Sequence, residues 1–194
     1  MNRILMLAFA LATIGAEPPR PAAKSMELIL EDQFGKRQEL AGQRGAVVVL
    51  VYGDRAATDA CRELGEKLHV LFHPTAAGQS PAKARLAPVA PLPGVPKSPD
   101  VMVIPVAVPG NVPGVVRDLL RTQIKLASPD VPVWLDFTGV MEKEFGLRAG
   151  QTNLAVFDAQ GRLRLKVNGT ADKPTLEKLL QTLQDLRAEA ATAK

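Results

Sequence analysis

Cysteine is the scarcest chemical resource in this chain of 194 residues: there is one, Cys61. A single thiol excludes an intramolecular disulfide, a Cys-x-x-Cys dithiol and any multi-thiolate zinc or iron–sulfur centre. Histidine is nearly as rare, with His69 and His73 alone, so a Ser-His-Asp grouping is short of candidates. A strong excess of one charge is also missing. The chain has 24 Lys+Arg and 20 Asp+Glu for a net +4, with no run of five basic residues. That balance argues against a nucleic-acid partner. No phosphate-cradling glycine loop is present, and no cofactor is expected. The apolar share of 46% beside 23% charged residues excludes wholesale disorder, and the length suits one compact domain.

The first residues read as an export address. Asn2-Arg3 precedes the apolar run Ile4 to Ile14, which ends in small residues before Glu17-Pro18-Pro19. This is the layout of a signal peptide over residues 1–16, and it falls short of the roughly 20 residues a membrane span needs. An extended lead-in follows over 17–25. No later stretch is apolar enough to span a bilayer, so a mature protein without an integral membrane domain, periplasmic or secreted, is expected.

Residues 26–190 read as the folded domain. Met26 to Leu30 and Lys36 to Leu40 suggest a hairpin turning at Gly35. Ala46 to Tyr52 is apolar without alternation, the pattern of a strand covered on both faces. A helix follows, starting at Asp54 or Thr58 and ending near Phe72, with Cys61, Leu64, Leu68 and Leu71 as its buried stripe. Between His73 and Pro99 lie seven prolines, which predicts a surface insertion over 73–100 with neither helix nor central strand, disordered or polyproline-like. Val101 to Val108 is a second strand, where Pro105 suggests an edge or a bulge. A helix over 115–125 is expected to bury Val116, Leu119, Leu120 and Ile124 and to expose Arg117, Arg121 and Lys125. A short strand at Val131 to Leu135 and a short helix to Phe145 come next. A hairpin from Thr152 to Val167 and a helix opening near Pro174 complete the domain, the chain fraying after Arg187, with 191–194 as a tail. Alternation first and a hairpin plus helix last imply an α/β mixed sheet with helices on both faces.

That order resembles the thioredoxin-like fold of the redoxin (AhpC/TSA-like) superfamily. The residues that carry the likeness are the Asp32-x-x-Gly35-Lys36 turn and Gly45-Ala-Val-Val-Val-Leu-Val-Tyr52. Further along they are Val131-Pro-Val-Trp-Leu-Asp136, Phe145-Gly-Leu-Arg148 and Thr152-Asn-Leu-Ala-Val-Phe-Asp158. Gly53-Asp54-Arg55 after the core strand is similar to a segment of the YtfJ-type small periplasmic proteins. The resemblance places the redox slot at Thr58-Asp59-Ala60-Cys61, where one sulfur cannot pass on a disulfide. It also places the family's cis-proline at Gln151, which implies a loop that is trans or rebuilt, since a non-proline cis bond costs about 3 kcal/mol.

Thr-x-x-Cys is also the peroxiredoxin spelling, and the resemblance then implies Cys61 as nucleophile with Thr58 orienting it. The family's shielding proline and activating arginine fall at Asp54 and Thr152, leaving Arg55, Arg62 or Arg148 as substitutes. Against this, Cys61 shares a stripe with leucines, and free cysteine is among the most buried residue types. If Thr58 caps the helix, the thiol gains from the helix N-terminus; if Asp54 does, it does not. His69 and His73 stand four apart and are weak zinc or copper candidates, since a tetrahedral site wants three or four ligands. The reading is an exported redoxin-like fold without dithiol activity, binding an unidentified protein or thiol partner in the cell envelope. The alternative is a one-cysteine thiol peroxidase.

Overall fold

A computed structural model of the protein describes residues 25–169 and 172–192. The signal-peptide reading over 1–16 and most of the lead-in lie outside the described residues. The hairpin comprises β1 (Ile29–Asp32) and β2 (Arg37–Glu39), and Gly35 takes a positive φ of 76° at its turn, where a side chain would be strained. Asp32 Oδ1 closes that turn by accepting from the amides of Phe34 and Lys36. The remaining strands are β3 (Val47–Gly53), β4 (Val101–Ala107), β5 (Trp134–Leu135), β6 (Asn153–Phe157) and β7 (Leu163–Asn168). The helices are α1 (Thr58–Phe72), α2 (Pro81–Ala84), α3 (Gly114–Ala127), α4 (Val140–Phe145) and α5 (Lys173–Thr192).

The strands form one sheet in the order β2-β1-β5-β4-β3-β6-β7. Strands β3, β4 and β5 run parallel, while β1 pairs antiparallel with β5 and β6 antiparallel with β3. All seven residues of β3 are buried, and the sheet position explains why the run lacks alternation. Val48, Leu50 and Tyr52 join Ile104, Val106, Met141, Phe145 and Phe157 on one face. Val47, Val49 and Val51 meet Leu68 and Phe72 of α1 and Leu179, Leu183 and Leu186 of α5 on the other. Each such side chain taken from water contributes about 1.5–3 kcal/mol.

Several expectations are corrected in detail. Pro105 sits in unbroken register with Val51, with no bulge. The Val108 amide donates to Gly53 of β3, so by alternation the missing Pro105 N–H falls on the β5 side, where pairing begins only at Val106. In α1 the buried positions are Leu68 and Phe72, and Leu71 is exposed. Helix α3 is rolled about its axis from the expected orientation. Arg117 and Arg121 lie over the Phe137 ring at 5.4 and 5.5 Å, and Arg121 also pairs with Glu31. Val115, Leu119 and Leu126 face outward, 84%, 56% and 79% exposed. The arginines win the inner position because their stems and planar heads cover an aromatic ring while a carboxylate neutralises one of them.

The proline-rich segment is better structured than its composition suggests. It carries a 3-10 turn at Pro74–Ala76 and the single-turn helix α2, with Pro74 and Pro81 each in a first turn, where a missing N–H costs nothing. Helix α5 continues beyond Arg187 to Thr192, carried by alanines of high helix propensity.

Candidate functional site

The slot singled out in the sequence lies where β3 hands over to α1. Asp54 ends the strand, and its Oδ1 accepts from the amides of Ala56 and Ala57, capping a 3-10 turn over Arg55–Ala57 that runs directly into α1. The capped start is therefore at Asp54, and Cys61 is the fourth residue of α1 beyond it. The carboxylate takes the amides of Ala56 and Ala57 in the turn that leads into α1, while the N-cap of α1 itself, Ala57, brings no side-chain acceptor.

Cys61 is half-buried against the core layer shared by α1, α5 and the sheet. Its Sγ lies 3.8 Å from Thr152 Oγ1, across from β6. Burial pushes the thiol pKa up; the Thr152 hydroxyl and the Asn153 amide pull it down, and the Asp54 charge pushes it up again, for a net rise. Gly53 is required beneath the sulfur, because a Cβ there would stand 2.7 Å from Ala57 Cβ and 2.9 Å from Cys61 Sγ.

Opposite the thiol, the loop 148–152 is built on Asn153, which is fully buried. Its Oδ1 accepts from the Arg148 and Gly169 amides at 2.9 and 3.2 Å, and its Nδ2 donates to the carbonyls of Gln151 and Arg148 at 2.9 and 3.2 Å. Every peptide bond among the described residues is trans, so the loop at Gln151 is rebuilt around an asparagine hub in trans geometry. Asp54 Oδ2 accepts from the Gly150 amide at 2.8 Å and ties this loop to the start of α1.

The other sequence candidates disperse. The Thr58 hydroxyl donates to the Arg55 carbonyl at 2.9 Å; the hydroxyl beside the sulfur is that of Thr152. Arg55 and Arg148 are exposed, and the charge acting on the thiol is Asp54. The His69 and His73 rings stack at 4.3 Å. Both nitrogens of His73 face oxygens, at His69 O and Asp100 Oδ1, and His69 Nε2 faces Ala84 O. Among the described residues no group of three or more His, Cys, Asp or Glu is placed to hold a metal ion. Asn153, Asp100 and Arg187 were not legible as key residues; a lone asparagine opening an apolar strand was the one available signal.

No family model matches the chain, and no curated protein matches its sequence. Solved structures do. The exposed lipoprotein thioredoxin Etrx1 of Streptococcus pneumoniae is 19% identical, covering 82% of this chain and 99% of that one with a TM-score of 0.51. A secreted thiol-disulfide isomerase of Corynebacterium glutamicum is 15% identical over 85% of this chain and 86% of its own, with a TM-score of 0.52. The chain has a thioredoxin-like α/β fold. It holds one cysteine where dithiol exchange needs two. Among the described residues no helix is long and apolar enough to cross a membrane.

Proposed function

We propose that this protein is an exported thioredoxin-fold module of the cell envelope that binds or scaffolds a protein or thiol partner without redox catalysis. The observation that carries the reading is the state of Cys61: half-buried, its pKa raised chiefly by burial, and acted on by the Asp54 charge with no compensating cation among the described residues. A peroxidatic or exchanging thiol needs the opposite surroundings, an accessible sulfur in a positive field. Export rests on the N-terminal pattern and is tested by the mass of the mature N-terminus recovered from the envelope fraction.

The test of the catalytic question compares wild type with Cys61→Ser in peroxide consumption and in reduction of a small disulfide. Equal background rates support the non-catalytic reading. A rate that depends on Cys61 overturns it in favour of a one-cysteine peroxidase, in which the Thr152 hydroxyl would take the orienting part.

A further inference from the structure

Helix α3 runs for 14 residues without a buried side chain. Its inner side, Arg117, Leu120, Arg121 and Ile124, is only half-buried, and the two arginines rest on Phe137. At about 100° of turn per residue, Val115, Leu119, Thr122 and Leu126 fall in a narrow stripe directly opposite that side. Val115, Leu119 and Leu126 are exposed. The Thr122 hydroxyl donates back to the Asp118 carbonyl at 2.9 Å, so the threonine has its methyl left for apolar contact. Spacings of four, three and four residues are those of a seam between two helices, and a contiguous exposed apolar stripe of this kind marks an interaction surface, unlike apolar residues scattered singly.

Charge beside the stripe decides what it fits. Asp118 and Lys125 lie on the same flank, the acid in the N-terminal half of α3 and the base in the C-terminal half, and both are exposed. Asp118 Oδ1 accepts from Arg121 at 2.6 Å, which leaves Oδ2 for a second cation, and Lys125 Nζ lies 5.5 Å from the Phe34 ring. A second copy of α3 laid antiparallel across a two-fold axis sets Val115 against Leu126 of the other copy and Leu119 against Thr122. The same alignment brings Asp118 of each copy beside Lys125 of the other, giving two ion pairs by symmetry. A parallel alignment places equal charges at equal heights and forfeits both. An anionic lipid surface is matched less well, because Asp118 shares the flank with Lys125 and Arg121 is neutralised by Glu31 and Asp118.

We propose that the outer face of α3 is the contact of a two-fold dimer of this chain, with the two helices antiparallel and Asp118 of each paired with Lys125 of the other. Four stripe residues and one flank per protomer make a small interface, below about 1,200 Å² in total. Association is therefore reversible, with a Kd between about 1 µM and 1 mM. A two-fold pair presents two copies of every other surface of the domain, which gives a binding module avidity without any new contact.

The experiment is sedimentation equilibrium on the full chain from about 1 µM to about 1 mM, the range in which that Kd falls, with urea midpoints to verify that each variant is folded. Wild type is expected to show a reversible monomer–dimer equilibrium. Asp118→Lys and Lys125→Asp each set like charges together at both symmetric contacts, and each is expected to weaken the dimer roughly tenfold, the combined scale of a few exposed ion pairs. An equimolar mixture of the two variants, and the double variant carrying both changes, are expected to recover association near the wild-type level. Leu119→Asp, a change at an exposed position, is expected to abolish it. A wild type that stays monomeric throughout, a dimer equally tight in both single charge variants, or a double variant that fails to recover overturns the proposal. Monomeric protein that binds phosphatidylglycerol vesicles and loses that binding in Leu119→Asp also overturns it, assigning the face to a lipid surface.

Discussion

Asp54 Oδ2 accepts the Gly150 amide at 2.8 Å, joining the two loops that face each other across Cys61. The same carboxylate caps the 3-10 turn that leads into α1 through Oδ1 and raises the pKa of the thiol by its charge. One side chain thus ties the two loops, caps the turn before α1 and opposes ionisation of the sulfur.

Replacing Asp54 separates those effects. Asp54→Ala removes cap and tie together and is expected to cost about 1–2 kcal/mol in urea denaturation, the usual worth of an N-cap. Asp54→Asn keeps an acceptor and removes the charge. It is expected to cost less and to lower the Cys61 pKa, read from the pH dependence of thiol absorbance at 240 nm.

Asn153 should be the least replaceable residue of the site. Asn153→Asp keeps the shape, loses both donors and brings a carboxylate into a fully buried position against the carbonyls of Gln151 and Arg148. An expected loss of about 3 kcal/mol or more follows from an unpaired buried charge. Asn153→Ala should cost roughly 2–3 kcal/mol, from buried backbone groups left without partners. Thermal and urea denaturation check both, and equal stability of the aspartate variant would contradict the hub assignment.

Gly53→Ala is expected to destabilise by about 1–3 kcal/mol through overpacking, because the added methyl meets Ala57 and Cys61. Combining it with Cys61→Ala should recover part of that loss, since the two sites share a contact and their effects are not additive. A double-mutant cycle in urea measures the coupling.

The pH dependence of stability carries a sign set by Asp100. Its carboxyl is held below the usual carboxylate range, first by the His73 hydrogen bond, against the opposing effect of burial. A depressed native value means the stabilisation is complete above the ordinary carboxylate pKa of about 3.9 and is lost as pH falls through the depressed value. Asp100→Asn is therefore expected to flatten the acid side of the stability profile, measured by urea midpoints.

The architecture was legible in the sequence because burial on both faces leaves a direct imprint: the apolar run at 46–52 could only be a central strand, and the alternation of strands and helices fixed the layers. The roll of α3 was not legible. Its apolar arc and its arginines compete for the inner face, and the outcome turns on Phe137 and Glu31, which come from other elements. The proline-rich segment was misjudged for a similar reason. Proline content measures what a segment cannot bond within itself, whereas this one is held by His69 and Arg187 reaching its backbone carbonyls from α1 and α5. At the site, the lone Cys61 and the unusual Gln151 loop were visible as departures from the redoxin pattern, but the Asn153 hub that makes the trans loop possible depends on contacts that exist only once β6 and β7 pair.

The account stands most directly on the chemistry of Cys61 in the folded protein. Iodoacetamide modification, followed by mass across pH in native and urea-unfolded protein, measures it. The raised thiol pKa and half-buried sulfur predict slow native modification at neutral pH that accelerates only above the ordinary thiol range near about pH 8.5, with full speed restored on unfolding. Native modification at neutral pH as fast as, or faster than, in the unfolded chain would contradict it.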